Sequence, residues 1–336
     1  MTKDGSSQAS ESSFLLRHEF AIRRLHSLTG IVPLGLYMVV HLVTNASLLN
    51  GAETFQRAVY LIHAPGQLLP LIEWGLIFAP LLFHAIIGVW IAKSGTDNSD
   101  QYKFTSNRRY MFQRATGIIA LVFLFFHVLH LHGWFHFSFW ISSVRAAGFG
   151  NFYPYNAAST LAEAMNGWVW PLFYLIGVLS CVYHLANGIW TSGITWGLWV
   201  SPKAQQRATK LCVALGGGLA VIATAAWWAA VSPSSEDIAE MRQTEDRMYE
   251  AAIAAGMLPE IDEKRAPQQF SADPTDDDAS ESVKSTTAPN QTSDSNRGKN
   301  DASSKDETDT TSADENAATQ ADSDETKMEL LGPDGS

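Results

Sequence analysis

The sequence is poor in cysteine: its 336 residues include only Cys181 and Cys212, and both lie in apolar runs. Two thiols are too few for an iron–sulfur cluster, which takes about four thiolates, and too few for a disulfide framework. The sequence also lacks a G-x-x-x-x-G-K-[ST] loop and a strand–G-x-G-x-x-G–helix fingerprint. These absences argue against nucleotide binding and against an iron–sulfur centre carried by this chain.

Acidic residues are scarce in the first two thirds of the chain and abundant in the rest. Residues 1–231 hold 8 acidic and 14 basic side chains, a net charge of +6, whereas residues 232–336 hold 26 acidic and 9 basic ones, a net of −17. The overall charge of −11 is therefore a property of the C-terminal region. Because this charge repels the phosphate backbone, no nucleic-acid partner is expected.

Long apolar runs dominate the first 231 residues. Five such segments, each longer than 20 residues, cover 25–49, 69–92, 111–135, 165–192 and 208–231. About 20 apolar residues suffice for a helix to cross the hydrocarbon core of a bilayer. The pattern predicts an all-α integral membrane protein, with a polar leader over 1–20 and a bundle of five transmembrane helices over 21–231.

Basic residues are unevenly distributed among the predicted connections. The leader and the second and fourth connections hold 12 Lys and Arg residues, whereas the first and third hold only Arg57 and Arg145. Loops rich in Lys and Arg remain on the cytoplasmic side of a membrane. The N-terminus is therefore predicted to be cytoplasmic, and five crossings place the C-terminal region on the outer side.

The C-terminal region, residues 232–336, is predicted to be largely disordered. A short helix is expected over about 235–255, because a serine at its start and acidic residues in its first turn are typical of a helix N-terminus. From about residue 266 the chain is rich in Ser, Thr, Asp and Glu, with Phe270 as its one aromatic residue. Such a segment buries too little apolar area to offset the entropy of ordering it.

Four histidines fall on four different predicted membrane helices, at two depths. At a rise of about 1.5 Å per residue, His41 and His127 lie roughly 25 and 21 Å from the cytoplasmic end, and His84 and His184 roughly 12 and 16 Å. Two histidines at one depth can bind a haem iron from both faces. The spacing predicts two haems, and bis-histidine ligation leaves no open iron position, which points to electron transfer. His130 is an alternative to His127, although it lies closer to the outer surface.

A glycine follows each histidine of the inner pair by four residues, as His84–Gly88 and His184–Gly188. Residues four apart share a helix face, so these glycines could give a porphyrin room against the backbone. Small residues also serve ordinary helix–helix contact in membranes, which is an equally common reason for any single glycine.

Polar residues near the helix ends supply candidates for the haem propionates and for a quinone. Each propionate candidate on the cytoplasmic side is by itself better explained as a topology charge, but as a set they could also neutralise two propionates; they are Arg23, Arg24, His26, Ser27, Lys93, Gln113 and Arg114. Glu73, at the outer end of the second helix, is a candidate proton-exchanging group beside a quinone. Arg24 and Ser27 are the inner-face alternatives for the quinone site.

Four segments resemble the cytochrome b subunit of di-haem succinate:quinone oxidoreductases. They are FAIRRLHSLTGIVPLGLYMVVHLVTN (20–45), LIEWGLIFAPLLFHAIIGVWIA (71–92), QRATGIIALVFLFFHV (113–128) and GVLSCVYHLANGIW…TWGLWVSP (177–202). The resemblance covers about residues 14–231, in order, and includes all four histidines. The acidic C-terminal region is not part of the family pattern.

The resemblance implies a bacterial cytoplasmic-membrane anchor for a flavoprotein and an iron–sulfur subunit. It implies two haem b groups, a proximal one bound by His84 and His184 and a distal one bound by His41 and His127, with electrons passing on to a quinone. His26 and Ser27 match positions near the inner haem propionates. Some fumarate-reducing members carry a glutamate where this chain has Val182, so the chain is closer to succinate:menaquinone reductases.

Three other functions are compatible with membrane histidines. The same complex could work as a fumarate reductase, or the chain could be the haem-bearing anchor of another quinone-linked dehydrogenase, such as a hydrogenase or formate dehydrogenase. A transporter or proton channel is a further alternative, but it is disfavoured because the sequence has few membrane carboxylates and no broken-helix inverted repeat.

Overall fold

The computed structural model describes residues 5–94, 105–258 and 264–267. Its α-helices are Gly5–Thr29, Leu36–Ala46, Ala52–His63, Leu69–Ile72, Ala79–Ser94, Thr105–His127, Ser138–Ala146, Ala157–Ala164, Val169–Thr195, Pro202–Val231 and Ser235–Ala254. Its π-helical segments are Gly30–Gly35, Glu73–Phe78 and Val128–His132, and its 3₁₀ turns are Ser47–Asn50 and Gly66–Leu68. No β-strand occurs within these residues.

Within the described ranges, five continuous helical stretches are long and apolar enough to cross a bilayer. The first to fifth spans are Arg17–Asn50, Gly66–Ser94, Asn107–His132, Val169–Thr195 and Pro202–Val231. Large apolar side chains project outward along them: Leu36, Ile86 and Val221 are 64%, 66% and 69% exposed. A helix satisfies its own backbone hydrogen bonds, so such a surface is stable in lipid. The predicted all-α integral membrane fold is confirmed.

The three π-helical segments all lie close to candidate histidines. Pro33 lies inside the first segment and Pro80 shortly after the second, and a proline within a helix removes a hydrogen bond and clashes with the preceding turn. The first two segments end six residues before His41 and His84, and the third follows His127 directly. π-Helical turns often accompany functional sites.

Four short helices form a cap at one end of the bundle: α1 (Ala52–His63), α2 (Ser138–Ala146), α3 (Ala157–Ala164) and α4 (Ser235–Ala254). Buried residues of α1 and α3, such as Phe55 and Leu161, share one apolar core with Tyr174 of the fourth span. We call this the cap end of the bundle, and the opposite end, which carries most of the Arg and Lys residues, the basic end.

Helix α4 lies where the sequence predicts a helix, and Ser234 and Asp237 form a capping box at its start. It belongs to the same compact unit as the five spans. The predicted division between residues 231 and 232 stays a prediction. The segment that the sequence predicts to be disordered starts at about residue 266. Beyond residue 267 it lies outside the described residues.

A buried carboxylate joins α4 to α3. The backbone N–H groups of Ala158 and Ser159, in the first turn of α3, donate hydrogen bonds to Glu245 of α4, and so does the Ser159 hydroxyl. Burial raises the pKa of Glu245 to about 7, while the hydrogen bonds from Ser159 and Ala158 and the charge of Arg242 act in the opposite direction. The contact ties the segment after the fifth span to the cap.

Candidate functional site

The four candidate histidines form two pairs inside the bundle. The rings of His84 and His184, from the second and fourth spans, have centres 6.1 Å apart. Those of His41 and His127, from the first and third spans, are 5.9 Å apart. A metal–imidazole bond is about 2 Å and a ring centre lies about 1 Å behind its nitrogen, so two imidazoles on opposite sides of one metal ion have centres roughly 6 Å apart.

Neither pair has further protein ligands that would complete a metal site. No group of three or more His, Cys, Asp or Glu side chains suited to a metal ion occurs among the described residues. A metal ion held between either pair therefore needs its remaining ligands from another source. The four nitrogens of a porphyrin, with two axial imidazoles, meet that need.

We call His84 and His184 the basic-end pair. His84 Nδ1 donates a hydrogen bond to the carbonyl oxygen of His26 at 2.9 Å. His184 Nδ1 lies 3.1 Å from the carbonyl oxygen of Gln113, to which it likewise donates. A histidine that donates through Nδ1 keeps the lone pair of Nε2 for a metal, and such a second contact also fixes the ring orientation.

We call His41 and His127 the cap-end pair, and aromatic rings surround it. His41 stacks on Tyr37 at 5.5 Å, and His127 contacts Phe123 at 5.4 Å and Tyr174 at 5.5 Å. His127 Nδ1 is buried, and the described part of the chain provides no hydrogen-bond partner for it. Steric contact, more than hydrogen bonding, orients this ring.

His130, the alternative to His127, is held elsewhere. Its ring is 1% exposed and stacks on Trp170 with centres 3.7 Å apart. Its Nδ1 lies 3.1 Å from the hydroxyl of Tyr174. These contacts occupy the His130 ring, whereas His127 is the ring that faces His41, so the geometry favours His127 as the partner of His41.

Two glycines and two histidines pack reciprocally between the first and second spans. A Cβ atom on Gly30 would lie 2.3 Å from His84 Cε1, and one on Gly88 would lie 3.2 Å from His26 Cε1. The rings of His26 and His84 stack at 4.0 Å. Gly30 thus makes room for the His84 ring, and Gly88 makes room for the His26 ring.

The third and fourth spans repeat this arrangement. A Cβ atom on Gly117 would lie 2.8 Å from His184 Cε1, and one on Gly188 would lie 3.3 Å from the side-chain nitrogen of Gln113. The sequence singled out Gly88 and Gly188 but missed Gly30 and Gly117, which lie against the candidate ligands themselves. The signal was present, because His26–Gly30 and Gln113–Gly117 have the same four-residue spacing.

Several predicted propionate residues gather around the basic-end pair. The Arg24 guanidinium lies over the rings of Phe20 and Trp196 at 4.0 and 5.6 Å, and its Nε is buried without a partner in the described chain, as is Nδ1 of His26. Ser27 accepts a hydrogen bond from Trp196 Nε1 at 2.9 Å. Unpaired buried donors are costly, and carboxylates such as haem propionates would satisfy them. The donor set therefore fits haem.

The other propionate candidates are placed differently. Lys93 is exposed near the end of the second span. The Arg114 guanidinium lies over the Tyr110 ring at 5.2 Å. Gln113 faces His184, because its side-chain nitrogen donates to the His184 carbonyl oxygen at 3.1 Å. Their propionate roles stay predictions.

Glu73, the outer-face candidate for proton exchange with a quinone, lies at the cap end, whereas the inner-face alternatives Arg24 and Ser27 lie at the basic end. Glu73 is half-buried at the start of the second π-helical segment, and its neighbour Trp74 stacks on Phe135, just beyond the end of the third span. Val182 is buried in an apolar cluster with Leu42 and Leu219. The fourth span thus presents an apolar side chain two residues before His184.

Arg109 and Asn187 are polar residues at the basic end that the sequence did not single out. Arg109 was counted only as a topology charge, yet its Nε donates a hydrogen bond to Asn187 Oδ1 at 2.9 Å. Asn187 directly precedes Gly188 and donates to the side-chain oxygen of Gln113 at 2.8 Å. An asparagine inside an apolar membrane helix is the signal that could have identified this network.

Five apolar spans that set two imidazole pairs within a helical bundle define an all-α integral membrane cytochrome b. No model of a known protein family matches the chain. The chain is similar to the succinate dehydrogenase cytochrome b558 subunit of Bacillus subtilis (strain 168), with 34% identity over 218 residues that cover 63% of this chain and 98% of the relative. The chain therefore belongs to the succinate dehydrogenase cytochrome b558 subunit family. It is a haem-b-binding membrane subunit of an oxidoreductase complex and associates with the other subunits of that complex.

Proposed function

We propose that this chain carries two haem b groups and passes electrons from its partner subunits to a quinone. His84 and His184 bind the proximal haem, and His41 and His127 bind the distal one. The observation that carries the proposal is the presence of two imidazole pairs, with ring centres 6.1 and 5.9 Å apart, on four different spans. A haem iron with two axial imidazoles supplies one-electron redox chemistry without an open position for a substrate.

The side chains around the basic-end pair hold and orient the proximal haem. The carbonyl oxygens of His26 and Gln113 keep both Nδ1 atoms protonated. The unpaired donors on Arg24 and His26 bind the propionates, and Ser27, Lys93, Gln113 and Arg114 complete their polar surroundings in this proposal. Gly88 and Gly188, predicted to give the porphyrin room, contribute here by letting the His26 ring and the Gln113 side chain pack close to the helix backbone beside the haem.

The quinone is reduced near the cap-end pair. Glu73, half-buried at the end of the second span, exchanges the protons that quinone reduction consumes. The buried Val182 provides no transmembrane carboxylate, which supports a succinate:menaquinone reductase whose protons enter from the quinone side. Arg24 and Ser27 are the candidates for a quinone site at the opposite end.

The partner subunits are the flavoprotein and the iron–sulfur protein of succinate dehydrogenase, and they dock on the cytoplasmic face. The excess of Lys and Arg at the basic end supports an orientation with that end and the N-terminus in the cytoplasm of a bacterial cell. The cap and the acidic C-terminal region then lie on the outer side of the cytoplasmic membrane.

A haem count tests the proposal. The isolated complex is assayed by a dithionite-reduced minus oxidised optical spectrum and by pyridine haemochrome quantification per copy of this chain. Two b haems per chain are expected. One haem would remove one of the two ligand assignments, and a folded complex without haem would overturn the proposal.

A further inference from the structure

A chain of side-chain contacts leads from the surface of the third span to the proximal-haem ligand His184. The Arg109 guanidinium donates to Asn187 Oδ1 at 2.9 Å and to the Thr209 hydroxyl at 3.1 Å. Asn187 Nδ2 donates to Gln113 Oε1 at 2.8 Å. The Gln113 side-chain nitrogen donates to the His184 carbonyl oxygen at 3.1 Å.

The network constrains the direction of the Gln113 amide. Because Asn187 Nδ2 can only donate, it requires the oxygen of the Gln113 amide on its side, which turns the amide nitrogen toward His184. That nitrogen lies 3.2 Å from His184 Nδ1. Because the amide nitrogen is itself a donor, it cannot accept the Nδ1 proton of His184. That proton is therefore donated to the backbone carbonyl oxygen of Gln113 at 3.1 Å. The imidazole orientation is thereby tied to Asn187.

Arg109 makes specific contacts inside the bundle, which a residue that only sets the membrane topology does not require. Its guanidinium lies 3.8 Å from the centre of the Trp190 ring, and Trp190 and Asn187 are both buried. The neighbouring residue Arg108 has the same charge and is exposed. Ordering a long side chain costs conformational entropy. An exposed arginine such as Arg108 satisfies the positive-inside rule without that cost, so the rule alone does not account for the placement of Arg109.

We propose that Arg109 and Asn187 are positioning residues for the proximal haem. They fix the His184 imidazole through Gln113, and Arg109 adds a positive charge near that haem alone. This inference rests on the proposed function, since it assumes that His184 is an iron ligand. A nearby positive charge stabilises the reduced form of a redox centre, so its removal lowers the midpoint potential.

The test uses the intact complex with Arg109→Gln, Asn187→Leu and the matched control Arg108→Gln, which removes an equal charge from the adjacent position. Haem content, the midpoint potential of each haem and the low-spin electron paramagnetic resonance signals are measured. A His84→Ala complex identifies which signal belongs to the proximal haem.

Both network variants are expected to retain two haems, with an altered resonance signal of the proximal haem, and Arg109→Gln is expected to lower its midpoint potential. The distal haem and the Arg108→Gln complex should match the wild type. Arg109→Lys keeps the charge but replaces the two donor nitrogens, Nε and Nη1, with a single one, so it should restore the potential more fully than the resonance signal.

Unchanged potentials and spectra in haem-loaded Arg109→Gln would overturn the proposal, as would equal shifts of both haems or an equal effect of Arg108→Gln. If the Asn187→Leu complex does not assemble, the potentials and spectra of the Arg109→Gln and Arg109→Lys complexes decide whether the proposal holds. A failure of the proposed function would be recognised separately, because the wild-type complex itself would then lack two haems before any variant is compared.

Discussion

The basic-end and cap-end histidine pairs have nearly the same ring spacing but very different surroundings. Backbone carbonyl oxygens of neighbouring spans bind Nδ1 of both His84 and His184. His127, in contrast, is packed between aromatic rings, and its buried Nδ1 has no partner in the described chain. Directional hydrogen bonds orient one pair, and steric contact orients His127 in the other.

This difference determines which substitutions should affect which pair. A hydrogen bond between membrane helices has little competition from water and transmits the position of one span to the ring on another. Aromatic packing tolerates small shifts, provided that the volume is kept. Polar and glycine substitutions should therefore perturb the basic-end pair, whereas changes at the cap should leave that pair unaffected.

The largest expected effect is the complete loss of one haem. His184→Ala should abolish the haem of the basic-end pair and leave the other, and His127→Ala should do the reverse, since each removes one of two axial ligands. Pyridine haemochrome assay and redox titration of the complexes measure this. His130→Phe, which keeps the stack on Trp170, is the control and should retain both haems; loss of the distal haem from this variant would reassign the ligand to His130.

A smaller effect, confined to the basic-end pair, is expected from added methyl groups. A Cβ atom at Gly30 or Gly117 would lie 2.3 or 2.8 Å from a histidine ring, and forced overpacking costs roughly 1–3 kcal/mol. Gly30→Ala and Gly117→Ala should lower proximal-haem occupancy and leave distal-haem occupancy unchanged, as measured by haem content per chain.

The matched control for these glycines is Gly217→Ala on the fifth span, where a Cβ atom meets nothing within 4 Å. This variant should bind both haems as the wild type does. If Gly217→Ala lost as much haem as Gly30→Ala, general helix destabilisation would explain the result, and the proposed contrast between the pairs would fail.

A pH-dependent effect is expected in the cap. Burial raises the pKa of Glu245 from its ordinary value of 4.5 to about 7, so the folded cap favours the protonated form. The stability that this carboxyl contributes is full below pH 4.5 and is lost as the pH rises through about 7. With about 1.4 kcal/mol per pKa unit, the change amounts to at most roughly 3.5 kcal/mol.

Hydrogen exchange of α3 and α4 at pH 5 and pH 8, corrected for the intrinsic rate, measures this effect. Protection should fall at pH 8 in the wild type but not in Glu245→Gln. The exposed Glu250→Gln control should follow the wild type. Amides near His84 and His184 should show no such dependence, and a parallel loss there would mean that the cap and the basic end open together.

The smallest effect is expected at Tyr174. The Tyr174→Phe change removes the hydroxyl that contacts His130 Nδ1 at 3.1 Å but keeps the ring beside His127. Leaving the buried His130 nitrogen without this partner should cost about 1 kcal/mol. Thermal unfolding of the complex should detect the loss, with both haem potentials unchanged; a shifted distal-haem potential would show that the hydroxyl, and not the ring packing, matters to His127.

Much of the fold was predictable because bilayer thickness constrains it. The apolar runs 69–92 and 208–231 became spans Gly66–Ser94 and Pro202–Val231, longer than predicted because polar residues at helix ends remain hydrogen-bonded beyond the apolar stretch. The third segment was predicted to reach residue 135, but its span ends at His132, since Gly133 has a left-handed φ of 79°. Hydropathy contains no information on such a turn.

Part of the site was predictable, because histidines are unusual in apolar membrane helices and can be recognised in the sequence. Histidines in apolar helices and their depths paired His84 with His184 and His41 with His127. Arg109 was counted only as a topology charge, because its contacts join residues 78 and 100 positions apart and the sequence alone does not reveal them. Gly30 and Gly117 escaped notice because each faces a histidine on a different span.

The sequence by itself determined the five membrane helices, their basic end, the acidic C-terminal region and the relative depth of each histidine, because these follow from apolar length, charge and the rise of a helix. Only the tertiary structure decided how the helices turn toward one another: that His127 and not His130 faces His41, that Gly30 and Gly117 adjoin the basic-end rings, and that Glu245 closes the cap. A membrane helix that is apolar on every side has no unique face until its neighbours pack against it, and packing depends on contacts that are distant along the chain.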